Sequence, residues 1–369
     1  MPKVLVGPLG LPAIYEDGGK RVTTHSMLKT YLSCPKQGQY KYAERLKPKS
    51  LTRRDQPLRR GTWVHELLQA YYEREDWRKV HADNTAKFNK LMDVEKEELG
   101  DLPAECMRLF RSYLWHYGAN KDDPFHGWKV LGAEVTLEAT WPDSEDGLDI
   151  YRARVDLLVE DRHGLVIVDH KTHKTLPSHT FRTLDAASPL YIWAARESGY
   201  EVRGFLWNYI RTKVPTTPKL VYVGTARERL SEAALDTDYP TYVRAIKSYG
   251  LDPYAEPYFS KAKQLYRQRW KEDAPQTSQF FKRDILEKDD EMVARVIATA
   301  MRTRDRMHED FDDYDVTERS MGRHCDWCTY SRLCTTEMFG GMGDHIRRRE
   351  FRTGDPLDYY QDKRESADS

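Results

Sequence analysis

The sequence predicts an α/β fold, with strands in the middle of the chain and helices before and after them. Three observations lead there. Two strand-like runs, Tyr151–Glu160 and Leu165–Lys171, are joined only by Asp161, Arg162, His163 and Gly164, which marks a hairpin. A helical stretch over Ser188–Glu197 separates that hairpin from a further strand at Gly204–Arg211. Upstream, apolar residues recur at three- and four-residue spacing, the period of a helix with one buried face.

Taken in order, residues 1–24 form a loop-rich arm. His25–Arg45 reads as a helix that Thr24 or Ser26 can cap, with Met27, Leu28, Tyr31 and Leu32 at helical spacing. Residues 47–60 are a basic loop. Gly61–Arg74 is a second helix with Val64, Leu67, Leu68 and Tyr71 as its buried stripe, and residues 77–120 are a charged helical insert. Leu131, Ala133, Val135, Leu137 and Ala139 alternate with polar residues, the signature of a half-buried strand beginning near Val130. The hairpin, helix and strand above complete a core over 25–211. Residues 212–310 mix Pro-rich loops, a short strand near Leu220 and a long amphipathic helix over Asp284–Glu309. A cysteine-bearing segment occupies 311–345, and a charged, frayed tail 346–369.

Composition sets limits. The 369 residues are 39% hydrophobic and 12% aromatic, too apolar and aromatic for a disordered chain. Fifty-nine basic residues balance 59 acidic ones, so the net charge does not advertise a nucleic-acid binder. Local clusters exist: eight Lys or Arg against two acids between Lys41 and Arg60, and Arg347, Arg348, Arg349 and Arg352 near the end. They read equally as solvated helix faces or phosphate contacts. The short N-terminal apolar stretch is broken by Gly and Pro, unlike a signal peptide, and no apolar run is long enough to span a membrane. A cytoplasmic location is expected, with cysteines as reduced thiols or metal ligands.

The hairpin carries the chemistry. With a four-residue turn, Glu160 faces Leu165 and paired numbers sum to 325, which sets Asp156 opposite Asp169. Cross-strand Cβ atoms lie about 5 Å apart, close enough for two carboxylates to share a divalent cation. Lys171, two residues on, points to the same face as Asp169. Oxygen ligands favour Mg²⁺ or Mn²⁺, and the backbone carbonyl of His170 can complete the coordination sphere. A plain Asp169–Lys171 salt bridge on a solvated strand is the alternative. Val166, Ile167 and Val168 argue against it, because they bring Asp169 out of a buried strand.

This arrangement resembles the PD-(D/E)XK nuclease fold, specifically its RecB-like branch. There an Asp on one strand is followed by D/E-x-K on the next, matched here by Asp156 and by Asp169 with Lys171. The resemblance implies a restriction-endonuclease-like central mixed sheet flanked by helices. It also implies a metal-binding His in a G-x-x-x-H motif, matched by Gly61 and His65. Glu134, on the polar face of the preceding strand, is either a further carboxylate ligand or a solvated glutamate. The family places a Gln four residues before a helical Tyr. Tyr191 fits, but Ala187 stands at the Gln position, so Tyr191 is either a contact to DNA or water, or a residue of the core edge.

Near the C-terminus Cys325, Cys328 and Cys334 form a C-x2-C-x5-C run, and Cys34 lies far upstream. Four thiolates are the number a cubane needs. One cysteine before the nuclease motifs and three after them resembles the iron–sulfur nucleases, both CRISPR-associated RecB-like exonucleases and helicase–nuclease domains. The resemblance implies a 4Fe-4S cluster that ties the chain ends together around the DNA site, and a DNA exonuclease of phage or prokaryotic recombination or repair, with recombination or helicase proteins as partners. Zn²⁺ is the rival occupant, although paired C-x2-C knuckles are absent. Cys106 falls outside the pattern, as a buried thiol. Trp63, Tyr191 and Trp327 either stack bases or pack in the core. The competing functions are a structure-selective endonuclease and a non-catalytic DNA-binding subunit.

Overall fold

The structure, a computed structural model, describes residues 14–118, 127–178, 180, 183–231, 236–269, 280–312 and 318–358. The sequence expectations for 1–13, 119–120 and 359–369 lie outside these residues.

The N-terminal arm is not all loop. Strands β1 (Glu16–Asp17) and β2 (Lys20–Thr23) form a small hairpin. The helix expected over His25–Arg45 is broken. Helix α1 (His25–Ser33) is capped by Thr24, whose side chain accepts from the Met27 amide. It stops at Cys34 because Pro35 follows, and a residue before proline avoids helical backbone. Leu32, within α1, faces solvent at 62% exposure. A short turn α2 (Pro35–Gly38) and a π-turn over Gln39–Ala43 lead to β3 (Leu46–Pro48). The stretch 47–60 is likewise only partly loop, since α3 (Gln56–Tyr72) begins five residues before Gly61. Pro57 suits that first turn, where its missing N–H costs nothing. Helices α4 (Trp77–Asn89), α5 (Asp93–Leu99) and α6 (Leu102–Tyr113) make up the helical insert.

The sheet follows. Strand β4 (Lys129–Thr140) pairs antiparallel with β5 (Asp149–Asp161), and β5 with β6 (Gly164–His173). Helix α7 (Ala187–Glu197) crosses to β7 (Val202–Arg211), which runs parallel to β6. After a small β8 (Leu220–Val221) and β9 (Arg229–Leu230) ribbon come α8 (Tyr239–Ser248) and α9 (Tyr258–Arg269). These pack on their own small core of Leu230, Tyr242, Ile246 and Leu265. The helix expected over Asp284–Glu309 begins later. Phe281–Leu286 is strand β10, paired to β7, and α10 spans Asp290–Asp312. Gly204 allows that pairing, because a Cβ there would meet the Leu286 carbonyl oxygen at 2.9 Å.

The seven-stranded order is β1-β2-β5-β6-β7-β10, with β4 on the other edge of β5. The sheet is mixed: β2–β5 and β6–β7 are parallel and the other pairs antiparallel. Helices cover both faces. Met27 and Tyr31 of α1, Leu190 and Trp193 of α7 and Met307 of α10 pack on Leu158, Ile167 and Phe205. Val64, Leu67 and Leu68 of α3 and Phe110 of α6 pack near Ile210 and Phe281.

The C-terminal stretch is not a frayed tail as far as Asp358. Helices α11 (Ser331–Met338) and α12 (Gly343–Glu350) lead to β11 (Phe351–Thr353), which pairs antiparallel with β3. Tyr40, Leu46, Tyr330, Leu333 and Phe351 share a core against which Cys328 and Cys334 pack. The Tyr330 hydroxyl donates to the Leu46 carbonyl at 2.8 Å, and the Arg347 guanidinium reaches Glu44 at 2.7 Å. The two ends of the chain are thus joined by backbone pairing, apolar contact and charge. Among the described residues no helix is long and apolar enough to cross a membrane.

Candidate metal centre

The hairpin register is the one the sequence implies. Leu157 faces Val168, Glu160 faces Leu165, and Asp161 faces Gly164. Pairing stops after Leu157–Val168, one step short of Asp156 and Asp169. On the same edge of β5, β2 pairs only with Asp149, Ile150 and Tyr151. Residues 152–156 therefore border a fork between β2 and β6. Asp156 enters this fork, and its carboxylate accepts the backbone N–H of His170 at 2.5 Å. A side chain replaces the strand carbonyl that a continued ladder would have supplied.

Helix α3 supplies His65 across the fork. Its apolar stripe seats the helix on the sheet, and His65 at the edge of that stripe has Nδ1 3.1 Å from Asp156 Oδ1. Strand β4 supplies Glu134. The expected alternation fails here: Leu131 is 43% exposed, the register shifts between Val130 and Gly132, and Glu134 has φ of 52°. Left-handed backbone is unusual for a residue with a Cβ. Its consequence is that Ala133 packs on the α3 side of the sheet, whereas Val135 and Leu137 pack with the α7 side. Glu134 sits at that reversal, held by Arg154 at 2.7 Å. One ligand atom each from His65, Glu134 and Asp156 lie within 4.8 Å of one another.

Asp169 and Lys171 adjoin this group without being part of it. The Lys171 ammonium is 2.5 Å from Asp169 Oδ2 and 5.5 Å from the Trp207 ring centroid. Thus the close set around Asp156 contains Glu134 rather than Asp169, although the sequence pointed first to an Asp156–Asp169 pair. The His170 side chain is buried on the other face. Its Nδ1 lies 2.7 Å from Asn208 Nδ2, and its ring stacks on Tyr72 at 5.8 Å. Tyr191 lies on α7, its ring beside those of His25 and Phe205. Trp63 is buried and Trp327 is 62% exposed, so of these two only Trp327 presents a free face.

Electrostatics separates the two aspartates. Burial favours the neutral acid at Asp156, but His65, His170 and Lys171 outweigh it and hold the carboxyl well below its usual range. At Asp169 burial dominates; Lys171 opposes it and Asp156 adds to it, and the group is pushed up to about 7. Burial lowers His65, yet Asp156 leaves it raised overall. Burial also lowers Lys171, and Asp169 and Asp156 more than reverse this. Burial pushes His170 down to about 3, so its ring is neutral. An ionised carboxylate, a second carboxylate and an imidazole, partly buried and converging, form a donor set that fits a divalent cation. In octahedral coordination at about 2.1 Å, neighbouring ligand atoms lie about 3 Å apart, within easy reach of the spacing seen.

Arg154 and Trp207 escaped the sequence reading. Arg154 had a signal, since it lies two residues before Asp156 on the same strand.

The four cysteines converge from both ends of the chain. Burial raises the Cys328 thiol, and the neighbouring Cys34, Cys325 and Cys334 raise it further. Arg54 donates to the Cys328 carbonyl at 3.0 Å. Among the described residues, sets of three or more ligand atoms mutually within 4.8 Å do not include these sulfurs.

A family model described as PD-(D/E)XK nuclease superfamily matches residues 22–335. Two solved structures are similar at 11% identity. The crystal structure of SSO0001 has a TM-score of 0.32 and is aligned over 87% of each chain. A candidate exonuclease from Eubacterium rectale has a TM-score of 0.41 over 86% of this chain and 93% of its own. A search of curated proteins finds no match.

Proposed function

The chain belongs to the PD-(D/E)XK nuclease superfamily, and from that premise we propose that it is a Mg²⁺- or Mn²⁺-dependent DNA exonuclease. The observation that carries the metal dependence is the convergence of His65, Glu134 and Asp156 within 4.8 Å at the fork. These three would hold the cation, with Asp169 and the His170 carbonyl beside it. When bound, such a cation supplies Lewis acidity to a phosphate oxygen and acidifies water for in-line attack. The imidazole makes Mn²⁺ at least as good an occupant as Mg²⁺.

The chain's own groups do the rest. Lys171, kept protonated by Asp169 and Asp156, orients the attacking water and stabilises charge that develops on the phosphate. Asp169 holds Lys171, and Arg154 holds Glu134. Tyr191 borders the Lys171 side of the sheet, where it contacts the strand or its water.

The exonuclease preference rests on the order of motifs, one cysteine before the nuclease residues and three after, which resembles iron–sulfur exonucleases. The same resemblance supports a 4Fe-4S cluster on Cys34, Cys325, Cys328 and Cys334, and a setting in recombination or repair.

Digestion of linear and covalently closed circular single-stranded DNA with Mn²⁺ tests this reading. Linear DNA is degraded and circular DNA survives. Asp169→Asn lowers the rate at least 100-fold with the circular dichroism spectrum unchanged. Cleavage of the circle would make the protein an endonuclease. No cleavage of any DNA by the wild type would leave only a binding module.

A further inference from the structure

We propose that the groove between the end of α3 and the first half of β4 is a nucleotide subsite, which holds a stacked base and a phosphate of a DNA strand that runs on to the metal centre. This rests on the nuclease reading above and adds to it where the strand lies. The groove is a cavity of about 700 Å³, within the size range of small-ligand sites. Its lining includes Tyr72, Arg74, Trp128, Lys129 and Arg283, with Glu73 the acid among the cations.

Two elements connect it to the metal centre. Helix α3 carries both His65 and Tyr72, seven residues or about 10 Å apart along its axis. Strand β4 lines the groove up to Ala133, and the next residue is Glu134. A column of rings runs the same way. His170 stacks on Tyr72 at 5.8 Å and 14°, and Tyr72 stacks on Trp128 at 6.3 Å and 18°. A base placed on Trp128 continues a stack that ends at His170, whose ring centroid lies 5.9 Å from that of His65.

The cations differ in firmness. Arg283 is buried and fixed, donating to the Tyr72 and Tyr113 hydroxyls at 3.1 and 2.9 Å and lying 4.7 Å from the Trp128 centroid. Arg74 is exposed where α3 ends in left-handed backbone, φ 61°. Lys129 is exposed too, paired with Glu160 at 3.1 Å. Such a surface pair contributes little, so a phosphate can replace the carboxylate. Flat rings with cations beside them suit a nucleotide, which offers a π-face and an anion at fixed separation. A small inorganic anion would use only the cations, and an apolar ligand only the rings.

The test measures binding of fluorescein-labelled oligothymidylate to the full-length protein in EDTA, across a salt series. The double variant Arg74→Glu/Lys129→Glu is expected to bind about tenfold more weakly, with a salt slope shallower by about 1 to 2. Trp128→Ala is expected to lose about fivefold or more with the slope unchanged. Unchanged binding in both groove variants would overturn the subsite even while the wild type cleaves DNA. So would thymidine monophosphate binding as tightly as the oligonucleotide, which would mark a site for free nucleotides. Failure of the nuclease reading shows separately, as absence of cleavage by the wild type with Mn²⁺.

Discussion

At the scale of residues, the centre depends on how each carboxylate is held. Asp156 faces an imidazole and a backbone N–H, whereas Glu134 is held by Arg154. The Asp169-x-Lys171 tripeptide and Asp156 were legible because a strand alternates with period two and the turn fixes the register. Gly61-x-x-x-His65 was legible as a motif. Packing alone does not demand that glycine, since a Cβ would meet Thr172 Oγ1 at an ordinary 3.5 Å. The inward turn of Glu134 was not legible, because nothing in local propensity signals φ of 52° at a glutamate. Arg154→Met should therefore keep the fold but release Glu134. Mn²⁺ affinity, measured by titration calorimetry, is expected to fall about 10- to 100-fold, as for loss of other groups that orient ligands. Unchanged affinity would mean that Arg154 does not set the Glu134 geometry.

At the scale of elements, the hairpin was readable and its neighbours less so. The β5–β6 pairing follows from one short turn, and the register holds as far as Leu157 and Val168. The fork beyond it depends on β2, which the sequence disguised as an arm. Four residues, Lys20–Thr23, carry too little periodicity to declare a strand, and they become one by pairing with β5. Strand β10 was concealed in the same way. The helical spacing of α10 runs back into it, and only the neighbouring β7, with Gly204 making room, selects the extended form. Tertiary pairing overrides local preference in both places.

At the scale of the whole molecule, the chain ends meet twice, in the β3–β11 pair and in the four-cysteine group. The proposed cluster there would close a loop of about 300 residues, and closure of so long a loop would contribute several kcal/mol. The order of the cysteines was legible in the sequence. The protein scaffold that brings them together was not, because Tyr330, Phe351 and Leu46 join only through the fold. Cys325→Ser is expected to lose iron and visible absorbance and to cost about 2–5 kcal/mol in urea unfolding, with DNA cleavage reduced less than tenfold while the protein stays folded. Stoichiometric zinc without iron in the wild type would reassign the group to Zn²⁺.

Three side chains, His65 from α3, Glu134 from β4 and Asp156 from β5, lie within 4.8 Å of one another, a set that would hold one hard cation. Titration of Mn²⁺ into the wild type, His65→Ala and Asp156→Asn tests it most directly. One site per chain is expected in the wild type, weakened at least 100-fold in each variant. Undiminished binding in either variant would contradict it.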